Sequence, residues 1–382
     1  MAFFLNNASV EQVRRRSYKK KAPRVEPLRS EIGRKRRSLP RAREFPYSAI
    51  TLKSQNRSKS PTNEDRYSVK AFQNFVLFSV FDGHSGPAIS DYSSLHFLNH
   101  LGKNITKKGT DPQVFKEAFL TFDNILHKEF NHKQDGSTVT VIYIDKHKII
   151  SANAGDSVAY LVKRSAVRSP TASARWSPTA SARWSPTASA RCAVRSPTAS
   201  ARCAVRSPTA SARCAVRKLT TEHDYSNEKE RKRVIAAGGK FHSGYYTVGN
   251  YMLQPTRGFG DFIFKKSKGN RGQDIYTALP TVREYPIGPS DKFVILATDG
   301  ILLGNPNEPQ NTIATLCGGA QNRAAQQAPA SKRLLTGILN STEIFGNPIY
   351  YPDDVTIIAV DLTVLRRRIC AQRILRLVPK SI

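Results

Sequence analysis

Residues 75–86 read Phe75-Val76-Leu77-Phe78-Ser79-Val80-Phe81-Asp82-Gly83-His84-Ser85-Gly86. The first seven form a short, nearly continuous apolar run that stops at Asp-Gly, a pattern that predicts a buried strand. Similar runs recur downstream. Thr138–Ile144 and Lys148–Ala154 are rich in Val and Ile and are joined by Asp145-Lys146-His147, which predicts a hairpin. Val158–Val162, Lys292–Thr298 and Val355–Leu362 predict further strands.

Helical signals lie between these strands. Asp111-Pro112 reads as an N-cap followed by proline at the first helical position. Phe115, Ala118, Phe119, Phe122, Ile125, Leu126 and Phe130 then recur at three- and four-residue spacing, giving one apolar face. Asn227–Ala237 is helix-like and stops at Gly238-Gly239, and another helix is expected after the turn-rich residues 304–323, beyond Pro329. Strands and helices mix along the whole chain, which places it in the α+β class as one domain.

Residues 165–217 interrupt this pattern. Ser-Pro-Thr-Ala-Ser-Ala-Arg begins at Ser169, Ser177, Ser185, Ser196 and Ser207, with almost no large aliphatic residue to build a core. A loop insertion accounts for this stretch, since long surface loops cost little extra closure entropy. The same stretch also explains much of the net charge. The chain carries 60 Lys and Arg against 29 Asp and Glu, or +31. Residues 1–50, 165–217 and 362–382 hold +25 of it, leaving +6 on the other 258 residues. Nucleic-acid binding by the core is therefore not expected, and the basic tails are where it would reside.

Other classes are also disfavoured. No run of 18 apolar residues predicts an integral membrane segment, and no secretory signal is apparent. Of the five cysteines, Cys192, Cys203 and Cys214 recur every 11 residues within the repeat, while Cys317 and Cys370 stand alone. None has metal-ligand spacing, and an intracellular, reducing compartment is expected. Clusters such as Arg34-Lys35-Arg36-Arg37 point to the nucleus or cytoplasm, and the apolar start Phe3-Phe4-Leu5 leaves a mitochondrial address open.

The acids of the core are more informative. Glu64-Asp65, Asp82, Asp299 and Asp353-Asp354 all stand at or beside strand ends, where a rigid scaffold presents side chains to a shared cleft. Converging carboxylates suit hard divalent ions such as Mg²⁺ or Mn²⁺.

These residues also fall into an ordered series of motifs. Asn63-Glu64-Asp65-Arg66 and Phe81-Asp82-Gly83-His84-Ser85-Gly86 come first, followed by Gly136-Ser137-Thr138 and Ala152-Asn153-Ala154-Gly155-Asp156-Ser157. Leu219-Thr220 then leads to His223, and Glu230-Arg231 precedes Gly238-Gly239. Thr256-Arg257-Gly258-Phe259-Gly260-Asp261, Ala297-Thr298-Asp299-Gly300 and Asp353-Asp354-Val355-Thr356 complete the series. The series resembles the metal-dependent Ser/Thr protein phosphatases of type 2C, the PPM family, over about residues 47–362 apart from the insertion. The wording around Asn63 and Thr298 is similar to the mitochondrial branched-chain ketoacid dehydrogenase phosphatase branch.

The resemblance implies a four-layer αββα sandwich of two antiparallel sheets flanked by helices. Its domain would span residues 45–362, interrupted at 165–217, between a basic arm (1–44) and a basic tail (363–382). It further implies two Mn²⁺ or Mg²⁺ ions, held by Asp82, the Gly83 carbonyl, Asp299 and Asp353. Glu64, Asp65 and Asp156 would act on them through water. A hydroxide bridging the ions would attack phosphorus, and His84 would protonate the departing Ser or Thr oxygen. Phosphorylated proteins would be the substrates, and a monomer is expected.

Three positions depart from the family pattern. Ser60 stands where an Arg commonly grips phosphate, making Lys59 and Arg57 the candidates for that role, and Lys lacks the bidentate fork of Arg. Val158 replaces an Arg after Gly-Asp-Ser, and Leu303 replaces an acid that helps hold a third metal in many relatives. A pseudophosphatase that binds phosphoproteins without turnover is the alternative reading that Ser60 supports.

Overall fold

The computed structural model describes residues 46–54, 62–164, 214–248, 251–265, 274–302 and 353–371, with Ile313 and Lys332 between the last two. The chain divides into two units, residues 1–43 and 44–382, and every described residue belongs to the second.

The run at 75–81 becomes strand β3 (Val76–Phe81), buried along its entire length. Alternation on a pleat explains why every position is apolar or small. Leu77 and Phe81 point to one core, and Val76, Phe78 and Val80 to another. On either side of β3 lie β2 (Arg66–Ala71) and β6 (Val139–Ile144), both antiparallel to it. The expected hairpin is present: β6 pairs with β7 (Lys148–Ala154), from Val139 opposite Ala154 to Ile144 opposite Ile149. With β14 (Thr281–Pro286) on the edge, this sheet runs β14-β7-β6-β3-β2.

A second five-stranded antiparallel sheet packs against the first. Its order is β1 (Tyr47–Leu52), β16 (Val355–Asp361), β15 (Asp291–Ala297), β8 (Val158–Arg164) and β9 (Cys214–Lys218). Ala159, Leu161, Val294, Leu296, Ile358 and Val360 face Val76, Phe78, Val80, Ile142 and Ile149 across the sheet–sheet core. The opposite face of this sheet carries Val158, Tyr160, Ile295 and Ile357, which pack with Ile301 and the helical Ile313.

The first sheet's outer face is covered by α1 (Ala88–Lys108) and α2 (Pro112–Phe130). Asp111 caps α2, its carboxylate accepting from the Gln113 N–H at 2.7 Å. The buried stripe is Val114, Phe115, Ala118, Phe119, Phe122 and Leu126. Ile125 and Phe130 depart from the expected face: Ile125 is exposed, and Phe130 is half-buried. The stripe is narrower than spacing alone predicts because only positions aimed at the sheet become buried. Asn227 likewise caps α3 (Glu228–Ala236), which ends before Gly238 at φ +91°.

Two boundaries differ from the sequence-based expectation. Residues 214–217, counted with the insertion, belong to β9, which pairs with β8 from Lys218 opposite Tyr160 to Cys214 opposite Arg164. Leu362–Cys370 form helix α4, whose Leu362, Leu365 and Ile369 join the sheet–sheet core. The expected helix beyond Pro329 and the turn-rich residues 304–323 lie outside the described residues, except for Ile313 and Lys332. Among the described residues no helix is long and apolar enough to cross a membrane.

Phe97 of α1 is the hub of the helix–sheet core. Its ring centroid lies 4.9 Å from those of Phe119, Phe122 and Phe259. Phe97→Ala is expected to cost about 3–5 kcal/mol, read as a lower urea midpoint with an unchanged slope. A loss below about 1 kcal/mol would show that α1 does not pack in this way.

Candidate active site

Five segments deliver carboxylates to one end of the sandwich. Asp82 follows the last residue of β3, and its backbone carbonyl accepts from the Thr138 N–H at 2.9 Å. Asp156 lies in the turn between β7 and β8, Asp299 opens the 3-10 turn after β15, and Asp353 precedes β16. Glu64 lies just ahead of β2. Glu64, Asp82, Gly83, His84, Asp156, Asp299, Asp353 and Asp354 line one cleft of about 680 Å³. Tyr245, Met252, Leu253 and Pro255 form its more apolar side. Tyr245 belongs to β11 (Tyr245–Val248), and Met252 and Leu253 to β12 (Tyr251–Leu253).

Asp82, Asp156 and Asp299 each offer a carboxylate oxygen within 4.8 Å of the others. Asp156, expected to act through water, is thus one of the three that converge, while Asp353 lines the same cleft. Burial pushes the Asp82 carboxyl well above its usual range, and the charges of Asp299, Asp65 and Asp156 push it further. Asp156 rises for the same reasons, burial first and then Asp299. Asp65 sits beneath the cleft. Burial raises it to about 7, assisted by Asp354 and Asp299 and opposed by hydrogen bonds from Thr298 and Thr356. Its Oδ2 accepts from Thr298 Oγ1 at 2.8 Å, whereas its buried Oδ1 has no hydrogen-bond partner.

The flanking motif residues build this arrangement. Arg66 donates to the carbonyls of Asn63 and Asp65, both at 2.7 Å, and so clamps the turn that carries Glu64. Asp354 accepts from the Glu64 N–H at 2.8 Å and the Ser54 N–H at 2.6 Å, tying three distant segments together. Gly155 adopts φ +117°, a left-handed conformation that costs side-chain-bearing residues energy. The Gly155 N–H donates to Nδ1 of His223 at 3.2 Å, and Nε2 of His223 bonds Thr281 Oγ1 at 2.8 Å. Burial, with the charge of Arg257, lowers His223 to about 3, so the ring is neutral and serves as a support for the Asp156 turn.

Glu230 and Arg257 make a second support. Burial would raise the Glu230 carboxyl, but Arg257 and Arg233 bring it down to about 2. Arg257 contacts both Glu230 oxygens, at 2.9 and 2.5 Å, in the bidentate geometry that favours Arg over Lys. Val158, in place of a family Arg, is fully buried in the apolar face of β8.

His84 stands at the cleft's edge with Nε2 2.8 Å from Oδ2 of Asp261. Burial disfavours its charged form, but the Asp261 charge and hydrogen bond outweigh that and raise its pKa. Asp261 closes the Thr256–Asp261 motif, but the sequence alone gives it no role at the site, since its partner His84 lies 177 positions away. Arg57, Lys59, Ser60 and Leu303 lie outside the described residues.

This donor set fits divalent cations. It offers hard oxygen ligands only, its carboxylates raise one another, and one buried oxygen lacks a partner.

The model of the protein phosphatase 2C family matches residues 49–174 and 208–305, which is more than half of the chain. The chain belongs to the protein phosphatase 2C family. The match resumes within the repeat's last copy, and Asp353 follows its end. Among curated relatives, a probable protein phosphatase 2C of Paramecium tetraurelia is 27% identical over 66% of this chain and 73% of its own. A protein phosphatase 2C homolog of Schizosaccharomyces pombe is 29% identical over 59% of this chain. The match covers 42% of the yeast protein, so the phosphatase 2C chain described here aligns with less than half of that relative. The solved serine-threonine phosphatase 2C of Toxoplasma gondii shares the fold, with a TM-score of 0.56 at 16% identity over 84% of this chain and 95% of that one.

The raised carboxyl of Asp65 has a measurable consequence in metal-free protein. Its folded pKa of about 7 lies above the unfolded 3.8, so the folded state holds the extra proton between those values. Stability contributed by this proton is therefore lost as pH rises through that window. In chelator, Asp65→Asn should match wild type in Tm near pH 4 and exceed it by pH 7.5. A constant difference across that range would contradict the buried, ion-free carboxylate.

Proposed function

We propose that this chain hydrolyses phosphoserine and phosphothreonine monoesters in proteins. The observation that carries the reading is the carboxylate trio Asp82, Asp156 and Asp299 beside His84 in one cleft. Two Mn²⁺ or Mg²⁺ ions are the proposed cofactors. Asp82, Asp156, Asp299, Asp353 and the Gly83 carbonyl would hold them, with Glu64 and Asp65 behind. When bound, such ions lower the pKa of water and withdraw charge from phosphoryl oxygens.

The chain's own side chains account for the other steps. Carboxylates at strand ends fix the geometry, and His84 supplies a proton to the departing Ser or Thr oxygen. Lys59 and Arg57 are the proposed phosphate contacts. Tyr245, Met252 and Pro255 line the same cleft and would add apolar contact for the substrate chain. A phosphoprotein chain is the proposed substrate, in keeping with the protein phosphatase 2C family to which the chain belongs. The repeat is proposed to be an insertion between β8 and β9 of the phosphatase domain, and the basic arm and tail are proposed to precede and follow that domain in sequence.

Placement in the branched-chain ketoacid dehydrogenase branch finds no support among the relatives above and is not part of the proposal. Among the described residues, the acidic set and His84 favour turnover over a pseudophosphatase.

In Mn²⁺, wild type is expected to release phosphate from a phosphothreonine peptide and from p-nitrophenyl phosphate, and EDTA should abolish both activities. Asp299→Asn should lower both by at least about 10²-fold. Background rates for wild type and variant alike would overturn the enzyme reading.

A further inference from the structure

The small sheet formed by β4 (Gly83–His84), β5 (Gly136–Ser137) and β13 (Phe259–Gly260) brings His84 and Asp261 together over one glycine. Gly136 lies opposite His84 on one side and opposite Gly260 on the other. A Cβ at Gly136 would sit 1.9 Å from the Asp261 carboxylate and 2.3 Å from Nε2 of His84. The pair therefore occupies the space that any other residue at 136 would fill.

Asp261 is held there at a cost. It adopts φ +48°, a left-handed conformation uncommon outside glycine, and its side chain is 3% exposed. Its N–H donates to the Asp135 carbonyl at 3.1 Å. Beside it, Asp123 accepts from the Gly260 N–H at 3.1 Å and from Lys265 Nζ at 2.6 and 2.7 Å. Lys265 also donates to the Gly258 carbonyl at 3.1 Å. The whole 258–265 turn is thus pinned on both sides of Asp261, which makes its carboxylate a fixed acceptor rather than a mobile surface charge. Strain maintained by several independent contacts is the mark of a residue whose direction matters.

We propose that Asp261 is the positioning residue that fixes the ring of His84 for proton delivery to the leaving oxygen. The inference rests on the phosphatase reading above and adds a residue to it. With Nε2–H donated to Asp261, Nδ1 is the ring nitrogen left to serve the cleft. Water oxygen bonds to phosphorus, the ester P–O bond breaks, and its electron pair stays on the Ser or Thr oxygen. That oxygen takes the proton from His84, and the proton lost by the attacking water restores the imidazolium through solvent. Water and phosphoester thus become alcohol and inorganic phosphate.

A positioning role and a merely structural one differ in leaving-group dependence. p-Nitrophenolate departs without a proton, whereas a threonine alkoxide needs one. The experiment compares turnover of a phosphothreonine peptide with that of p-nitrophenyl phosphate in Mn²⁺, for wild type, Asp261→Asn, Gly136→Ala and His84→Gln. Mn²⁺ affinity is measured by calorimetry on the same proteins. The ratio of peptide to p-nitrophenyl phosphate turnover should fall about 10-fold or more in Asp261→Asn and in Gly136→Ala, within the range for general-acid catalysis. Adding Asp261→Asn to His84→Gln should lower the ratio no further, because the two act as one unit. Mn²⁺ affinity in Asp261→Asn should remain within about threefold of wild type, since Asp261 lies outside the proposed ligand set. An unchanged ratio in both Asp261→Asn and Gly136→Ala, or losses that follow weakened Mn²⁺ binding, would overturn the inference while leaving the phosphatase reading intact. Wild type inactive on both substrates would overturn both.

Discussion

Electrostatic repulsion among buried carboxylates is the constraint around which this molecule is arranged. Asp82, Asp156 and Asp299 place oxygens within 4.8 Å of each other, and Asp65 lies just beneath with one oxygen unpartnered. In a site of lowered dielectric, like charges at such distances raise each other's pKa, and a chain free to relax would separate them. It cannot separate them here. Each acid is attached to the end of a strand whose alternate residues are locked into two apolar cores, and moving one acid would unpack the strand behind it. Packing energy in the sandwich therefore holds together carboxyls that keep protons in the metal-free protein and that divalent cations would neutralise in their place.

The supports around the cleft follow from the same demand. Arg66 and Asp354 hold the Glu64 turn, and His223 holds the Asp156 turn as a neutral ring rather than as another charge. A cationic support so close to the carboxylates would satisfy them without a metal. Among the described residues, buried cations are paired with other acids: Arg257 and Arg233 with Glu230, and Lys265 with Asp123. The electrostatic design separates structural ion pairs from the acids left for ligands.

Much of this was legible in the sequence because it is written in local pattern. Continuous apolar runs at 75–81 and 292–298 marked strands buried on both sides, and each ended in the acid that the fold then delivers to the cleft. Asp111-Pro112 marked a helix start because capping chemistry is local. Features made by long-range pairing were not legible. Asp261 meets His84 across 177 positions of sequence, so neither residue announces the other. Cys214-Ala215-Val216-Arg217 has the same sequence as residues 192–195 and 203–206, so no local property distinguishes it as a strand. Its pairing with β8 decides the matter. The narrower stripe on α2 has a similar origin, since the sheet beneath, not the helical period, determines how far burial extends.

The central claim, that this acidic cluster exists to bind divalent cations, is tested most directly by anomalous diffraction at the manganese edge on crystals grown with Mn²⁺. The account predicts strong peaks within ligand distance of Asp82 and Asp299, with the strand ends undisturbed. Well-ordered carboxylates with no anomalous peak beside them at saturating Mn²⁺ would contradict it.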